Sequence, residues 1–548
     1  MPCCRSTVMI ESLVHCDNNI ALRLNRQFGP TFTTLSSKPP PSLWMVESVV
    51  RSHIMRGAHG IHRLPNEMLS SVFSYAIQAR DDDDFSHAAL FPLTLSHTCS
   101  RWRDLSISTG SLWTSIRLCF PHSQNQLTYL KTWLCRSKSY PLDILLDFRD
   151  EDWAWEEDEH LFTRDAAIEI ISTILPHVKR WRHIEFFTDT WAPIHAFLNL
   201  SRDVTDLPVL KSVALSRCNA YFARRGESFK PVELKEAVPL FGGLLLSALK
   251  DLSLVGVHVD WQRSVLANLL ELELKFHAYD VMPSFEQFMG ILKSCPDLKR
   301  LSIVGWGPRL DDATSTDTKH IMPKLTRFTL GFVDVEYALS LLSNFCLPSL
   351  YELVLEDVSA IVDPDGPSDA TALLQKIAST NSDSTSCFYP LYQVGCLELR
   401  SIRSNEAAFT QFLRCFNNLG KINLSDVDSA LLIALGPQRY SPGPDTKVEG
   451  PSMPRSRRPS FASLSTSLAP CPQLVDLTCR RVDTTLLSSV ISARAEAGSG
   501  VRPLQSVQLE LEDEGDEFDD GASTSSGLSD QDRISLLKTG VDLIIHHA

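Results

Sequence analysis

Pro296-Asp297-Leu298-Lys299-Arg300-Leu301-Ser302-Ile303 carries apolar side chains at Leu298, Leu301 and Ile303, two residues after a proline. The i, i+3, i+5 spacing ends in a period-2 alternation, which is a strand with one buried face. Working outward, the same spacing recurs after Pro208 (Leu210, Val213, Leu215), Pro323 (Leu325, Phe328, Leu330), Pro348 (Leu350, Leu353, Leu355) and Pro472 (Leu474, Leu477, Cys479). It recurs without proline at Trp181, Ile184, Phe186, at Leu249, Leu252, Leu254 and at Leu269, Leu272, Leu274. Val394, Leu397, Leu399, then Leu419, Ile422, Leu424, and Leu504, Val507, Leu509 complete the series. Amphipathic helices are predicted between these strands. Ala167, Ile170, Ile171 and Ile174 fall at i, i+3, i+4, i+7, as do Phe285, Phe288, Met289 and Leu292. Val335, Ala338, Leu339 and Leu342, and Phe409, Phe412, Leu413 and Phe416, do the same. No single strand–helix unit can bury its own apolar face, so the units must stack.

Upstream, Ile61 to Ile116 reads as a small helical unit. Pro65 suits a first helical turn, where its missing N–H costs nothing. Leu69, Val72 and Phe73 then make one apolar face, Leu95, Cys99 and Trp102 a second, and Leu112 and Trp113 mark a third segment. The insert Gln78 to Phe91, with Asp81 to Asp84, reads as a solvated loop. Three short helices bury little surface alone, so the unit must dock on something. Leu127, Leu130 and Leu134 predict a helix that Tyr140-Pro141 stops, and Leu142, Ile144, Leu146 and Phe148 predict a strand after it.

The leading Leu64-Pro65, the helix with Phe73, Cys99-x-x-Trp102 and the trailing Leu112-Trp113-x-x-Ile116 resemble an F-box, most of all that of mushroom-forming fungi. The resemblance implies that Leu64, Pro65, Leu69, Val72, Phe73, Leu95, Cys99, Trp102 and Trp113 dock on the Skp-type adaptor of a cullin–RING ubiquitin ligase. The strand–helix units are similar to the degenerate leucine-rich repeats that commonly follow an F-box. Their spacing stretches between Leu350 and Val394 and between Leu419 and Leu474, and the asparagine ladder of regular repeats is missing. The expected fold class is therefore α/β: a small three-helix F-box at 59–117, then an irregular leucine-rich-repeat-like α/β solenoid at 118–435 with its last repeats at 471–511. Four segments flank or interrupt it. They are a largely disordered 1–58 with a short helix at Leu43 to Met55, a disordered loop at 436–470, an acidic disordered 512–529, and a capping helix at 530–548 through Ile534, Leu537, Val541 and Ile544.

A formal net charge of −14 argues against a nucleic-acid partner bound by phosphate neutralisation. No apolar run reaches the roughly 18–20 residues that span a bilayer, so no membrane partner is expected. The 14 cysteines are scattered, without Cys-x-x-Cys, which suits reduced thiols and a location in cytoplasm and/or nucleus. No Gly-x-Ser-x-Gly, His-Glu-x-x-His or phosphate loop occurs, so neither catalysis, a metal nor a cofactor is expected. The acidic stretch Asp150 to His160 lacks the glycine and spacing of a calcium loop and reads as solvated. Arg457-Arg458-Pro459-Ser460 resembles a basophilic kinase site at Ser460. Side chains between the core leucines face the other way, and Lys299, Arg300, Arg327, Tyr351 and Glu352 are candidates for holding a protein target. By resemblance the chain bridges adaptor, cullin and target, raising effective concentration without making bonds itself. The alternative expectation is a ligase-independent repeat scaffold.

Overall fold

The computed structural model describes residues 61–78, 85–154, 157–217, 223–310, 319–359, 368–380, 391–437, 469–496, 501–511 and 533–547, residues 535 and 537 excepted. They form a mixed α/β protein in two compact units. One comprises residues up to 219 with 230–267, the other 220–229 with 268 onward.

The first unit opens with helices α1 (Asn66–Gln78), α2 (Phe85–Thr98) and α3 (Ser100–Ser108). Five parallel strands follow in chain order: β1 (Ser115–Cys119), β2 (Leu142–Asp147), β3 (Trp181–Thr188), β4 (Ser212–Arg217) and β5 (Asp251–Val255). Parallel neighbours need crossovers, and α4 (Gln124–Arg136), α5 (Arg164–Ile174) and α6 (Trp191–Leu200) serve three of them. Ile116, Ile144, Ile184, Val213 and Leu252 are register partners, and so are Leu118, Leu146, Phe186, Leu215 and Leu254. All ten are at most 2% exposed. Each such side chain contributes about 1.5–3 kcal/mol on burial.

The second unit repeats the design. Its sheet runs β6 (Glu271–Lys275), β7 (Arg300–Val304), β9 (Arg327–Phe332), β11 (Glu352–Asp357), β12 (Cys396–Arg400), β13 (Lys421–Ser425), β14 (Asp476–Arg480), β15 (Ser506–Leu511) and β16 (Asp542–His547), all parallel. The short β8 (His320–Ile321) and β10 (Phe345–Cys346) pair separately. Helices α7 (Phe285–Lys293), α8 (Val335–Leu342), α9 (Thr371–Thr380), α10 (Glu406–Leu413), α11 (Ser429–Leu435) and α12 (Thr484–Glu496) lie between strands, and α9 to α12 pack each on the next. Leu272, Leu301, Phe328, Leu353, Leu397, Ile422, Leu477 and Val507 form one buried ladder. The backbone repeats as strictly. Leu270 O accepts from Lys299 N and Arg300 N, Lys299 O from Thr326 N and Arg327 N, and Thr326 O from Tyr351 N and Glu352 N. The series continues through Tyr351, Gly395, Gly420 and Val475. At the other strand ends Phe276, Gly305, Ser401, Asp426 and Arg481 all turn with positive φ.

Several expectations need correction. Residues 85–91 are not a loop, because α2 begins at Phe85. The expected helix through Ile534, Leu537, Val541 and Ile544 is helical only in its first part, at Ile534, and from Asp542 on it is strand β16. Gly540, at φ +79°, ends the preceding turn, and Leu543 and Ile545 continue the ladders of Val507 and Leu509. Strand β1 runs across the expected boundary at 117/118, since its Ile116 and Leu118 belong to the sheet core. The expected features at 1–58, at 438–468 with Ser460, and at 512–529 lie outside the described residues.

Candidate functional site

Helix α1 starts where Pro65 O accepts from Leu69 N at 3.0 Å. Arg101 fixes that start against α3, donating to the Leu64 carbonyl and to Asn66 Oδ1 at 2.9–3.0 Å. Side-chain hydrogen bonds Ser70–Thr109 (3.2 Å) and Ser74–Ser111 (3.3 Å) stitch the other flank. Within this frame Leu69, Phe73, Leu95 and Trp113 are buried, none more than 4% exposed. They build the domain's own core, so the expectation that their side chains themselves meet the adaptor is corrected. Trp113 also donates Nε1–H to Ser106 O at 2.8 Å.

Cys99 is corrected too. It is extended (φ −157°, ψ 169°), it separates α2 from α3, and its Sγ caps α3 by accepting from Trp102 N at 3.5 Å. The single helical face through Leu95, Cys99 and Trp102 therefore does not form. Leu64, Val72 and Trp102 are half-buried and Pro65 is exposed. Trp102 meets Phe73 edge-on at 4.8 Å, and its Nε1–H is buried without a partner among the described residues. Ile61, Tyr75 and Ile107 are also exposed, each about two-fifths. They escape a reading based on helical faces because each stands outside the i, i+3, i+4 pattern.

The five target-binding candidates lie at the N-terminal ends of the neighbouring strands β7, β9 and β11. Arg300 and Arg327 are register partners, and Glu352 follows in the same row. Their charges are already engaged: Arg300 pairs with Glu271, and Arg327 with Glu352 at 3.5 Å. Lys299 is exposed, and Tyr351 is 59% exposed with its ring over the backbone of Gly395. A Cβ at residue 395 would collide with that ring. Farther along, Arg400 lies between Glu356 (3.3 Å) and Glu398 (2.6 Å), and these partners hold its pKa up against burial. Cys396 sits in the same row, and burial with the Glu352 charge pushes its thiol up to about 11, so it is not a thiolate nucleophile at neutral pH.

The acidic stretch after β2 is not simply solvated. Glu157 pairs with Arg217, whose side chain is fully buried, and accepts from Trp191 N at 3.2 Å. Burial lowers the Arg217 pKa to about 9, still charged at neutral pH. His160 Nδ1 accepts from Phe162 N at 3.0 Å, so Nε2 carries the proton donated to Asp189 at 3.0 Å. Asp147 is bidentate with Arg149. Each of these buried ions and the His160 ring has a partner, which braces the surface after β2. Among the described residues no group of His, Cys, Asp and Glu could hold a metal ion, and no helix is long and apolar enough to cross a membrane.

A search of curated proteins gave no match for the chain. Residues 61–119 match the F-box-like family model, so the segment from the first described turn to the end of β1 is an F-box-like domain.

Proposed function

We propose that this chain is the substrate-recognition subunit of a Skp–cullin–F-box type ubiquitin ligase. F-box proteins are in general adaptor subunits rather than enzymes, and the match at 61–119 is the observation that carries the reading. Leu64, Pro65, Val72 and Trp102, with exposed Ile61 and Tyr75, form the face offered to the Skp-type adaptor and through it to a cullin. Leu69, Phe73, Leu95 and Trp113 shape that face from inside. The strand–helix units act as an irregular leucine-rich-repeat solenoid that holds a protein target, with Lys299 and Tyr351 as accessible contacts. Arg300, Arg327 and Glu352 hold the sheet surface rigid through their ion pairs. Ser460 is a regulatory phosphorylation site in this scheme, and the complex works in cytoplasm and/or nucleus.

The experiment is co-expression with a Skp-type adaptor and a cullin. The reading expects all three to elute as one complex. A complex with the adaptor that excludes the cullin favours a ligase-independent scaffold, and no complex at all removes the ligase reading and leaves only a repeat scaffold.

A further inference from the structure

Strand β16 (Asp542–His547) is the last of the second unit's sheet, and among the described residues no strand pairs with its outer edge. The buried ladders thin out there. Val507 and Leu509 on β15 are at most 1% exposed. Their register partners Leu543 and Ile545 are only half-buried, and so is Ile544 on the other face. A stacked repeat array needs cover on its end unit, which has no neighbour to bury its apolar side. An open strand edge also offers a row of backbone donors and acceptors to another strand.

Two features of this edge select the strand that fits it. The first is the direction of its backbone groups. Asp542 N–H donates to Gln505 O, toward β15, at 2.8 Å. These groups alternate along a strand, so those of Leu543 and Ile545 point away from β15 into the open edge. The second is the order of side chains from Asp542 to His546: carboxylate, three aliphatics, imidazole, with both polar ends exposed. Turned about a two-fold axis through Ile544, this strand meets its own complement. Leu543 of one copy stands opposite Ile545 of the other as a hydrogen-bonded antiparallel pair, and each of their N–H groups finds a carbonyl. Asp542 stands opposite His546 twice over, and Ile544 meets Ile544. Every opposed pair lies on one face of the joined sheet, because its members are an even number of residues apart. We infer that β16 pairs antiparallel with β16 of a second copy of this chain, joining two second-unit sheets edge to edge. The contact is isologous, so it closes at two copies. Two short strands bury less than a standard interface, so association in the micromolar range is expected. The pairing does not depend on the ubiquitin-ligase reading.

The test is sedimentation equilibrium of the full chain across micromolar concentrations. The native chain is expected to rise reversibly to twice its formula mass. Ile545→Pro removes a donor that faces the open edge and leaves the bonds to β15 in place, so this variant stays monomeric. His546→Asp sets a carboxylate opposite Asp542, and Asp542→Lys removes the carboxylate–imidazole contact. Each single change raises the dissociation constant about five-fold. Asp542→Lys/His546→Asp sets an ammonium opposite a carboxylate and regains native association or better. Asp542 and His546 are exposed, and circular dichroism confirms that the variants fold. A native chain that stays monomeric, a dimer indifferent to Ile545→Pro, or a double variant that associates no better than its singles overturns the proposal. An adaptor pull-down on the same samples is read separately: a dimer that binds no adaptor sinks only the ligase reading, and a monomer that binds it sinks only the pairing.

Discussion

Trp113 and Trp133 meet edge-on, their ring centroids 4.7 Å apart, with the Arg136 guanidinium 4.4 Å over the Trp113 ring. Trp113 belongs to the F-box-like segment and Trp133 to α4, the first helix after it. Strand β1, at the end of the same segment, pairs with β2. The F-box-like domain is thus the opening layer of the first unit's sheet, not a module on a tether. Whatever binds it is held in a fixed position relative to that sheet.

Trp113→Ala empties a fully buried site shared by both parts. A loss of about 3–5 kcal/mol is expected, with helical and tryptophan signals still unfolding together for the first unit. Urea titration followed by both probes checks this. A separate, earlier transition for the F-box alone would contradict the fused layer.

Surface and core positions of the domain should behave differently. Val72→Asp places a charge on a half-buried outer position and should leave the unfolding midpoint nearly unchanged while weakening adaptor binding by about 2 kcal/mol or more. Leu69→Ala should cost about 2–5 kcal/mol of stability and lower adaptor binding only as the folded fraction falls. Titration calorimetry beside thermal melts distinguishes the two.

Arg494 is buried and donates to the carbonyls of Leu435, Pro470 and Cys471 at 2.8–2.9 Å. Those carbonyls lie on both sides of the long segment 438–468. Arg494→Ala leaves three buried acceptors unpaired and should cost about 3 kcal/mol or more. Arg494→Lys, a single ammonium, should recover only part of it. Chemical denaturation measures both, and an unchanged Arg494→Ala midpoint would show that the two stems hold together without it.

Burial lowers the pKa of His183 below its usual 6.5, and Arg182 and Lys211 lower it further against the pull of Asp143. Burial lowers His122 and His195 as well. Folding keeps these rings neutral while the unfolded chain takes up protons near 6.5, so the stability they permit is complete above that value and falls as pH drops through it. Urea midpoints at pH 8, 7 and 6 should descend in that order. His183→Gln should shallow the descent, and an equal slope would rule out its share.

The strand pattern was legible because the i, i+3, i+5 spacing repeats and, within each unit, each copy lands in register with the last. Strand β16 escaped that reading. Gly540 occupies the place of the first apolar residue, and Ile534, Leu537, Val541 and Ile544 satisfy helical spacing just as well. Cys99 misled for a related reason: a one-residue extended break preserves i, i+4, i+7 in sequence while destroying the shared face. The partners of buried charge were beyond reach. Glu157 and Arg217 are 60 residues apart, and Arg494 and Leu435 59, so no local spacing joins them. Arg300 and Arg327 looked like partner contacts until register set each beside a carboxylate.

The most direct test of the account is the affinity of the purified chain for a Skp-type adaptor, measured by calorimetry for the native sequence and for Val72→Asp. The account predicts a one-to-one complex with the native chain and binding about thirty-fold weaker or worse for the variant, with both proteins equally folded. Absence of binding by the native chain, or equal binding by the two, would contradict it.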